Sequence, residues 1–296
     1  MRKKVLILGV TGMLGHTLFK HLSSKATLDV HATARTSDGF DLWFAPDIVK
    51  KIRVDVDADN FDSVIRAFAS VQPDLVINCI GLIKHQSIAN DPLYAITINA
   101  QLPHRLSLVC RTAGARLIHI STDCVFNGRK GQYTEADPSD AIDLYGRSKF
   151  LGEVAYPPHC ITLRTSIIGH ELKGKLGLIE WFLSQEGTVR GFTKAIYSGL
   201  PTLELARIIA DYVIPGDHLT GVYHVSSDPI SKYDLLKLVA ERYQKQIDIE
   251  PYDDFFMERS LDSTVFRRLT GYQPPPWPEL TDLMYKDYIS SYDQKK

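Results

Sequence analysis

Short apolar runs alternate along the first half of the chain with longer stretches in which apolar residues recur every three or four positions. Residues 5–8, 28–33, 52–56, 73–81, 116–121 and 160–164 read as strands, the clearest of them, Val5-Leu6-Ile7-Leu8, apolar throughout as a buried parallel strand is. Between these runs the spacing predicts helices through Leu18, Phe19 and Leu22, over 60–71, over 93–113 and around Tyr145 to Lys149. Alternating strand and helix predicts an α/β fold with a doubly wound parallel sheet. Beyond Thr165 the regularity fades. Helices are expected at 178–184, 202–214, 231–243 and 279–288, with a strand at 221–225, and residues 188–200 read as mixed.

The first strand runs straight into Gly9-Val10-Thr11-Gly12-Met13-Leu14-Gly15 and then a helix. In that context the first glycine permits a turn, the second lets backbone approach a pyrophosphate, and the third lets helix pack on strand. The helix N-terminus adds free N–H groups and a positive dipole end. The spacing is G-x-x-G-x-x-G, and a glycine turn without a ligand is the alternative. A dinucleotide would meet Gly9, Thr11, Gly12, Met13, Leu14 and Gly15. The second strand ends at Arg35-Thr36-Ser37, where an Arg accommodates a 2′-phosphate, so NADPH is expected. Asp38 nearby leaves NADH open. Asp55, after the third strand, is placed to reach an adenine, and Cys79, Ile80 and Gly81 form a further turn beside the cofactor. Residues 1–165 are thus expected to form a dinucleotide-binding Rossmann domain to which 190–225 returns. Residues 166–189 and 226–296 would form a smaller substrate-binding region.

Tyr145 and Lys149 stand four apart and share one helix face. A Lys ammonium beside a phenol favours the phenolate, so the Tyr145 pKa is expected below its ordinary value of about 10. Such a phenol can exchange a proton with a carbonyl or carbinol oxygen. Ser121 and Thr122, at the end of the fifth strand, offer that oxygen a hydroxyl. Asn99, a polar residue in an apolar helical stretch, reads as a satisfied interior amide or as part of a proton relay. The polar, turn-rich loop 125–143 resembles an active-site rim.

Taken in order, Gly9/Gly12/Gly15, Asn78-Cys79-Ile80-Gly81, Asn99, Ser121-Thr122-Asp123 and Tyr145/Lys149 resemble the extended short-chain dehydrogenase/reductase family over the whole length. Ser121-Thr122-Asp123-Cys124-Val125-Phe126-Asn127-Gly128, Tyr145 to Glu153 and Leu163-Arg164-Thr165-Ser166 are most similar to its dTDP-4-dehydrorhamnose reductase-like branch. The resemblance implies NADPH-dependent reduction of the C4 ketone of a nucleotide-linked 4-keto-6-deoxyhexose in deoxysugar and cell-surface polysaccharide synthesis. It implies Tyr145 as proton donor, Lys149 on the nicotinamide ribose, Thr122 on the carbonyl oxygen with Ser121 adjacent, and Arg164 lining the cofactor. Lys84, His85, Asp123 and Cys124 would meet the substrate. Cys124 stands where some relatives use a Cys as acid or base in epimerising C3 or C5, with His170, Lys173 or Lys175 as possible partners. A bifunctional 3,5-epimerase/4-reductase therefore stays open, as does a noncatalytic NADP-binding regulatory subunit.

A net charge of −1 on 296 residues gives no electrostatic case for nucleic acid or anionic membrane. The basic Met1-Arg2-Lys3-Lys4 before an apolar run imitates a secretion signal, but four apolar residues fit a first strand better. Four scattered cysteines and no metal-ligand spacing point away from a disulfide framework or metal site and towards the cytoplasm. A homodimer is possible.

Overall fold

The computed structural model describes residues 2–82 and 90–291. Seven parallel strands form the main sheet: β1 Lys3–Leu8, β2 Leu28–Thr33, β3 Ile52–Arg53, β4 Leu75–Asn78, β5 Arg116–Thr122, β6 Cys160–Thr165 and β7 Gly221–His224. Their order is β7-β6-β5-β4-β1-β2-β3. The alternation of side chains along each strand splits the core into two layers. Leu6 and Leu8 of β1 pack with helices α2 (Phe61–Val71) and α3 (Leu102–Ala113), whereas Val5 and Ile7 pack with α1 (Met13–Ser23). Covered on both faces, the strands need no polar side, which explains their continuous apolar runs.

Local breaks occur where the site is built. The helix expected over 93–113 is divided into Pro92–Ala95, a π-helical turn Ile96–Gln101 that carries Asn99, and α3. Such turns widen a helix by one residue and often mark functional sites. The third strand stops at Arg53 because Asp55 takes a positive φ of 59°, outside the extended region. Helix α4 (Leu144–Leu151) crosses the π turn closely. A Cβ at Gly152 would lie 1.9 Å from the Asn99 carbonyl oxygen, so only glycine allows this approach.

Residues 190–225 divide between two places. Helix α5 (Thr202–Ile208) packs on α1, and β7 joins the main sheet beside β6. By contrast, Thr188–Phe192 pairs with Asp248–Tyr252, and Ala195–Tyr197 lies between Ile230–Ser231 and Met257–Glu258. Those strands belong to a smaller lobe with α6 (Lys232–Arg242) and α7 (Trp277–Ser291), whose core includes Phe182, Tyr197, Leu235, Trp277 and Leu280. No described helix is long and apolar enough to cross a membrane.

Candidate active site

Strand order reverses at β1, and the crevice beyond the carboxyl ends of β1 and β4 is where such sheets take ligands. Gly9 adopts a left-handed φ of 86°, and a Cβ there would come within 2.9 Å of the Ile80 side chain. A Cβ on Gly15 would lie 2.1 Å from the Gly9 carbonyl oxygen, so this glycine lets α1 press onto the turn. Gly12 differs. Its Cβ would meet only that carbonyl oxygen, at an ordinary 3.5 Å, leaving open space above it. Helix α1 starts at Gly12 with no side-chain cap and no acidic residue in its first turn. Its N–H groups and dipole are therefore available to an anion, as a pyrophosphate requires. Thr11 is exposed and Met13 half-buried beside this turn, while the Leu14 side chain belongs to the core. Arg35 is exposed beyond β2, and its carbonyl accepts from the Asp55 N–H at 3.3 Å, which sets the two residues side by side. These features fit a dinucleotide.

On the other flank, Asp143 caps α4 by accepting from the Gly146 N–H at 2.8 Å. Tyr145 shares a hydrogen bond with Thr122, and Thr122 also donates to Asp123 at 3.2 Å and accepts from the Cys124 N–H. The Lys149 ammonium is buried and donates to the Ile120 carbonyl at 2.7 Å. Burial draws its pKa down to about 8, opposed by the charges of Glu153 and Cys79. Tyr145 departs from the sequence expectation. Its phenol is pushed above its ordinary value, first by burial and then by Cys124, against its hydrogen bond with Thr122. Desolvation leads, and the lysine ammonium is engaged at the Ile120 carbonyl. Asn99 joins the two flanks: its Oδ1 accepts from the Leu82 N–H at 2.9 Å, and its Nδ2 donates to the Ser148 hydroxyl at 3.1 Å. A Cβ on Gly81 would lie 3.5 Å from Asn99 Oδ1 and 3.6 Å from Lys149 Nζ, so Gly81, and Cys79 with it, border Lys149. The Cys79 thiol is pushed up to about 12 by burial.

Two expected site residues are engaged elsewhere. The Ser121 hydroxyl donates to Glu153 at 2.6 Å, so it is directed away from a carbonyl oxygen at Tyr145. Arg164 grips the same carboxylate through Nε at 2.8 Å and Nη2 at 2.7 Å, and it contacts His224 at 3.3 Å. Both ends of this pair are buried, and the guanidinium lies over the Phe126 ring. Arg164 thus braces the end of α4 against the sheet where cofactor lining was expected. Breaking such a pair exposes one buried charge to an apolar setting, hence its bracing value.

Asp123 is buried with its carboxyl pKa raised by burial. The Cys124 thiol, pushed up to about 12 by burial and by Asp123, accepts a hydrogen bond from Arg259 Nη1 at 3.3 Å. Two of the partners considered for Cys124 are used elsewhere, His170 bonding Glu180 and Tyr243 and Lys173 lying over the Trp43 ring, and Lys175 is exposed. Lys84 and His85 lie outside the described residues. Arg259, Lys232 and Tyr197 lie near Asp123 and carry no local sequence signal, Tyr197 falling in the stretch 188–200 that reads as mixed. The arrangement thus offers a polar corner of phenol, hydroxyl and ammonium beside a backbone-built anion site, as proton transfer to a developing alkoxide requires.

The family of the RmlD substrate binding domain matches residues 2–288. The spore coat polysaccharide biosynthesis protein SpsK of Bacillus subtilis is 31% identical over 238 residues, covering 78% of this chain and 75% of that protein. A dTDP-4-dehydrorhamnose reductase of Aggregatibacter actinomycetemcomitans is 26% identical over 93% of this chain and 95% of its own. In structure, dTDP-4-dehydrorhamnose reductase from Bacillus anthracis in complex with NADP matches with a TM-score of 0.78 at 22% identity, covering 97% of this chain and all of that one. At that identity the likeness speaks for the fold.

Proposed function

This chain belongs to the family of the RmlD substrate binding domain, and from that premise we propose that it reduces the C4 ketone of a nucleotide-linked 4-keto-6-deoxyhexose with NADPH. The observation that carries the reading is the corner formed by Tyr145, Thr122 and Lys149 next to the open Gly12 turn. When bound, the reduced nicotinamide supplies the hydride. Thr122 holds the carbonyl oxygen through its hydroxyl. Tyr145, kept protonated by its burial, gives its O–H proton to the developing alkoxide, and solvent returns a proton to the phenolate. Lys149, with a pKa of about 8, is mostly charged at neutral pH, so it steadies that phenolate and orients the nicotinamide ribose. Such a positioned acid contributes roughly 10²–10⁴-fold.

Arg35 at the rim supports NADPH over NADH through a 2′-phosphate contact. Residues 1–165 with β7 carry the cofactor side, and 166–189 with 226–296 carry the substrate side. The four free cysteines support a reducing, cytoplasmic setting for this step of deoxysugar synthesis. Exposed Leu108, Phe150 and Leu151 on α3 and α4 support a homodimer through these helices.

The test combines purified protein and NADPH with dTDP-, UDP- or GDP-linked 4-keto-6-deoxyhexoses in heavy water, following absorbance and then product mass. Consumption of NADPH with no carbon-bound deuterium is expected. Deuterium fixed at C3 or C5 would make the enzyme an epimerase as well and give Cys124 a catalytic role. Tight NADPH binding without turnover of any such sugar would contradict the reading.

A further inference from the structure

Next to Ile120, whose carbonyl holds Lys149, strand β5 carries a histidine that the proton transfer does not use. His119 is fully buried and stands opposite Asn78 of β4 in the parallel register. Asn78 is fully buried as well, and its Oδ1 accepts from the Ile80 N–H at 3.1 Å. That bond settles which way the amide points, so its Nδ2 faces His119 Nδ1 at 3.2 Å. An amide NH2 only donates, and Nδ1 therefore accepts and carries no proton. The ring is neutral: burial first, and then the charges of Lys149 and His104, hold the His119 pKa well below its ordinary value. Its one proton thus sits on Nε2, which is enclosed with no hydrogen-bond partner among the described residues. Native proteins seldom leave a buried donor unpaired. Nothing around Nε2 rewards that proton, so the tautomer is dictated from the Nδ1 side.

What the Nδ1 bond secures is the turn Cys79-Ile80-Gly81. The Ile80 side chain lies against the Gly9 turn, where a Cβ on the glycine would come within 2.9 Å of it. Gly81, at the other end, borders Lys149 and Asn99. The Asn78 amide thus ties down a turn that stands between the anion site and the catalytic lysine. Rotated by half a turn, that amide would set its NH2 against the Ile80 N–H, two donors facing each other. His119 blocks the rotation, because a bare Nδ1 accepts from an NH2 and repels a carbonyl oxygen. We propose that His119 is a positioning residue for the cofactor: as the Nε2–H tautomer it locks the Asn78 amide, and the amide holds the 79–81 turn in the form that receives the dinucleotide. This rests on the dinucleotide reading above.

The test measures NADPH affinity by calorimetric titration, with thermal melting alongside, for the parent, His119→Phe and His119→Gln. Nitrogen NMR of the histidine rings is recorded for the same proteins. His119→Phe keeps a ring in place but offers Asn78 no acceptor. It is expected to bind NADPH roughly 3- to 10-fold more weakly, the range for one lost hydrogen bond. His119→Gln, whose Oε1 accepts from the same amide, is expected to recover most of that loss. In the parent, the His119 signals, known by their absence from the variants, are expected to show a bare Nδ1 and a protonated Nε2, and to move when NADP⁺ binds. A residue that merely fills the core would change the melting point and leave NADPH affinity alone, and that result overturns the proposal. So does an equal loss of affinity in His119→Gln, or a proton on Nδ1. Should His119→Phe fail to fold, the parent spectrum decides. The expected tautomer, moved by NADP⁺, keeps the proposal, whereas the other tautomer or an unmoved signal overturns it. A parent that binds neither NADPH nor NADP⁺ contradicts the dinucleotide reading itself, and the proposal falls with it.

Discussion

On the sheet side of the site, the working groups come from two compact stretches: Gly9 to Gly15, and Thr122 to Lys149. Much of what they offer is backbone, in the uncapped start of α1 and the carbonyl that holds Lys149, fixed by a fully buried sheet. On the lobe side, Tyr197 ends one short strand, while Lys232 and Arg259 each follow a strand only two residues long, and what these last two offer is side-chain charge. The sheet side is thus suited to parts that every turnover shares, a pyrophosphate and a proton transfer. The lobe side can change one residue at a time without disturbing the sheet, which suits it to telling substrates apart.

The contrast can be broken first at the brace behind α4. Glu153→Gln leaves Arg164 buried and uncompensated, so folding stability is expected to fall by about 3–5 kcal/mol, read from the denaturant midpoint. In the surviving folded protein the alkaline limb of kcat/KM should also move. Lys149 carries its charge below about pH 8 and loses it above, so activity falls as pH rises through that value. Glu153 holds this pKa up, and its replacement should shift the limb to lower pH. Lobe-side substitutions should leave the limb in place.

The glycine turn sharpens the contrast within the sheet side. Gly15→Ala puts a methyl group against the Gly9 carbonyl and is expected to cost about 1–3 kcal/mol of stability, along with NADPH binding. Gly12→Ala meets no such obstacle. It should melt like the parent yet bind NADPH about tenfold more weakly, because its methyl group enters the ligand's space. Normal NADPH affinity in Gly12→Ala would place the pyrophosphate elsewhere. The smallest effect is expected where the two sides meet: Cys124→Ser should change the reduction rate by less than about tenfold, below the range for an acid or base group. A larger loss in a steady-state assay would put the thiol into the chemistry.

What could be read from the sequence follows the same division. Strand, glycine turn and helix, and a Tyr and Lys one turn apart, are local patterns, and local geometry is what periodicity encodes. Arg259 and Lys232 depend on strand pairings between segments some 30 to 60 residues apart, which periodicity does not carry. The π turn at Asn99 was hidden for a related reason: the same apolar spacing suits a plain helix, and only the contact with Gly152 distinguishes them. The Tyr145 pKa departs from the expectation because a neighbouring charge shows in sequence whereas depth of burial does not. Arg164 lay in a recognised motif, but its partner Glu153 and their shared burial became visible only in three dimensions.

The central claim is that Tyr145 gives the proton in a reduction that uses NADPH. The most direct measurement compares parent and Tyr145→Phe in a single turnover of NADPH with the 4-keto sugar that the parent accepts, with NADPH affinity measured alongside. A fall of roughly 10²–10⁴-fold in rate at unchanged NADPH affinity is the predicted result. Reduction at a rate near that of the parent would contradict the account.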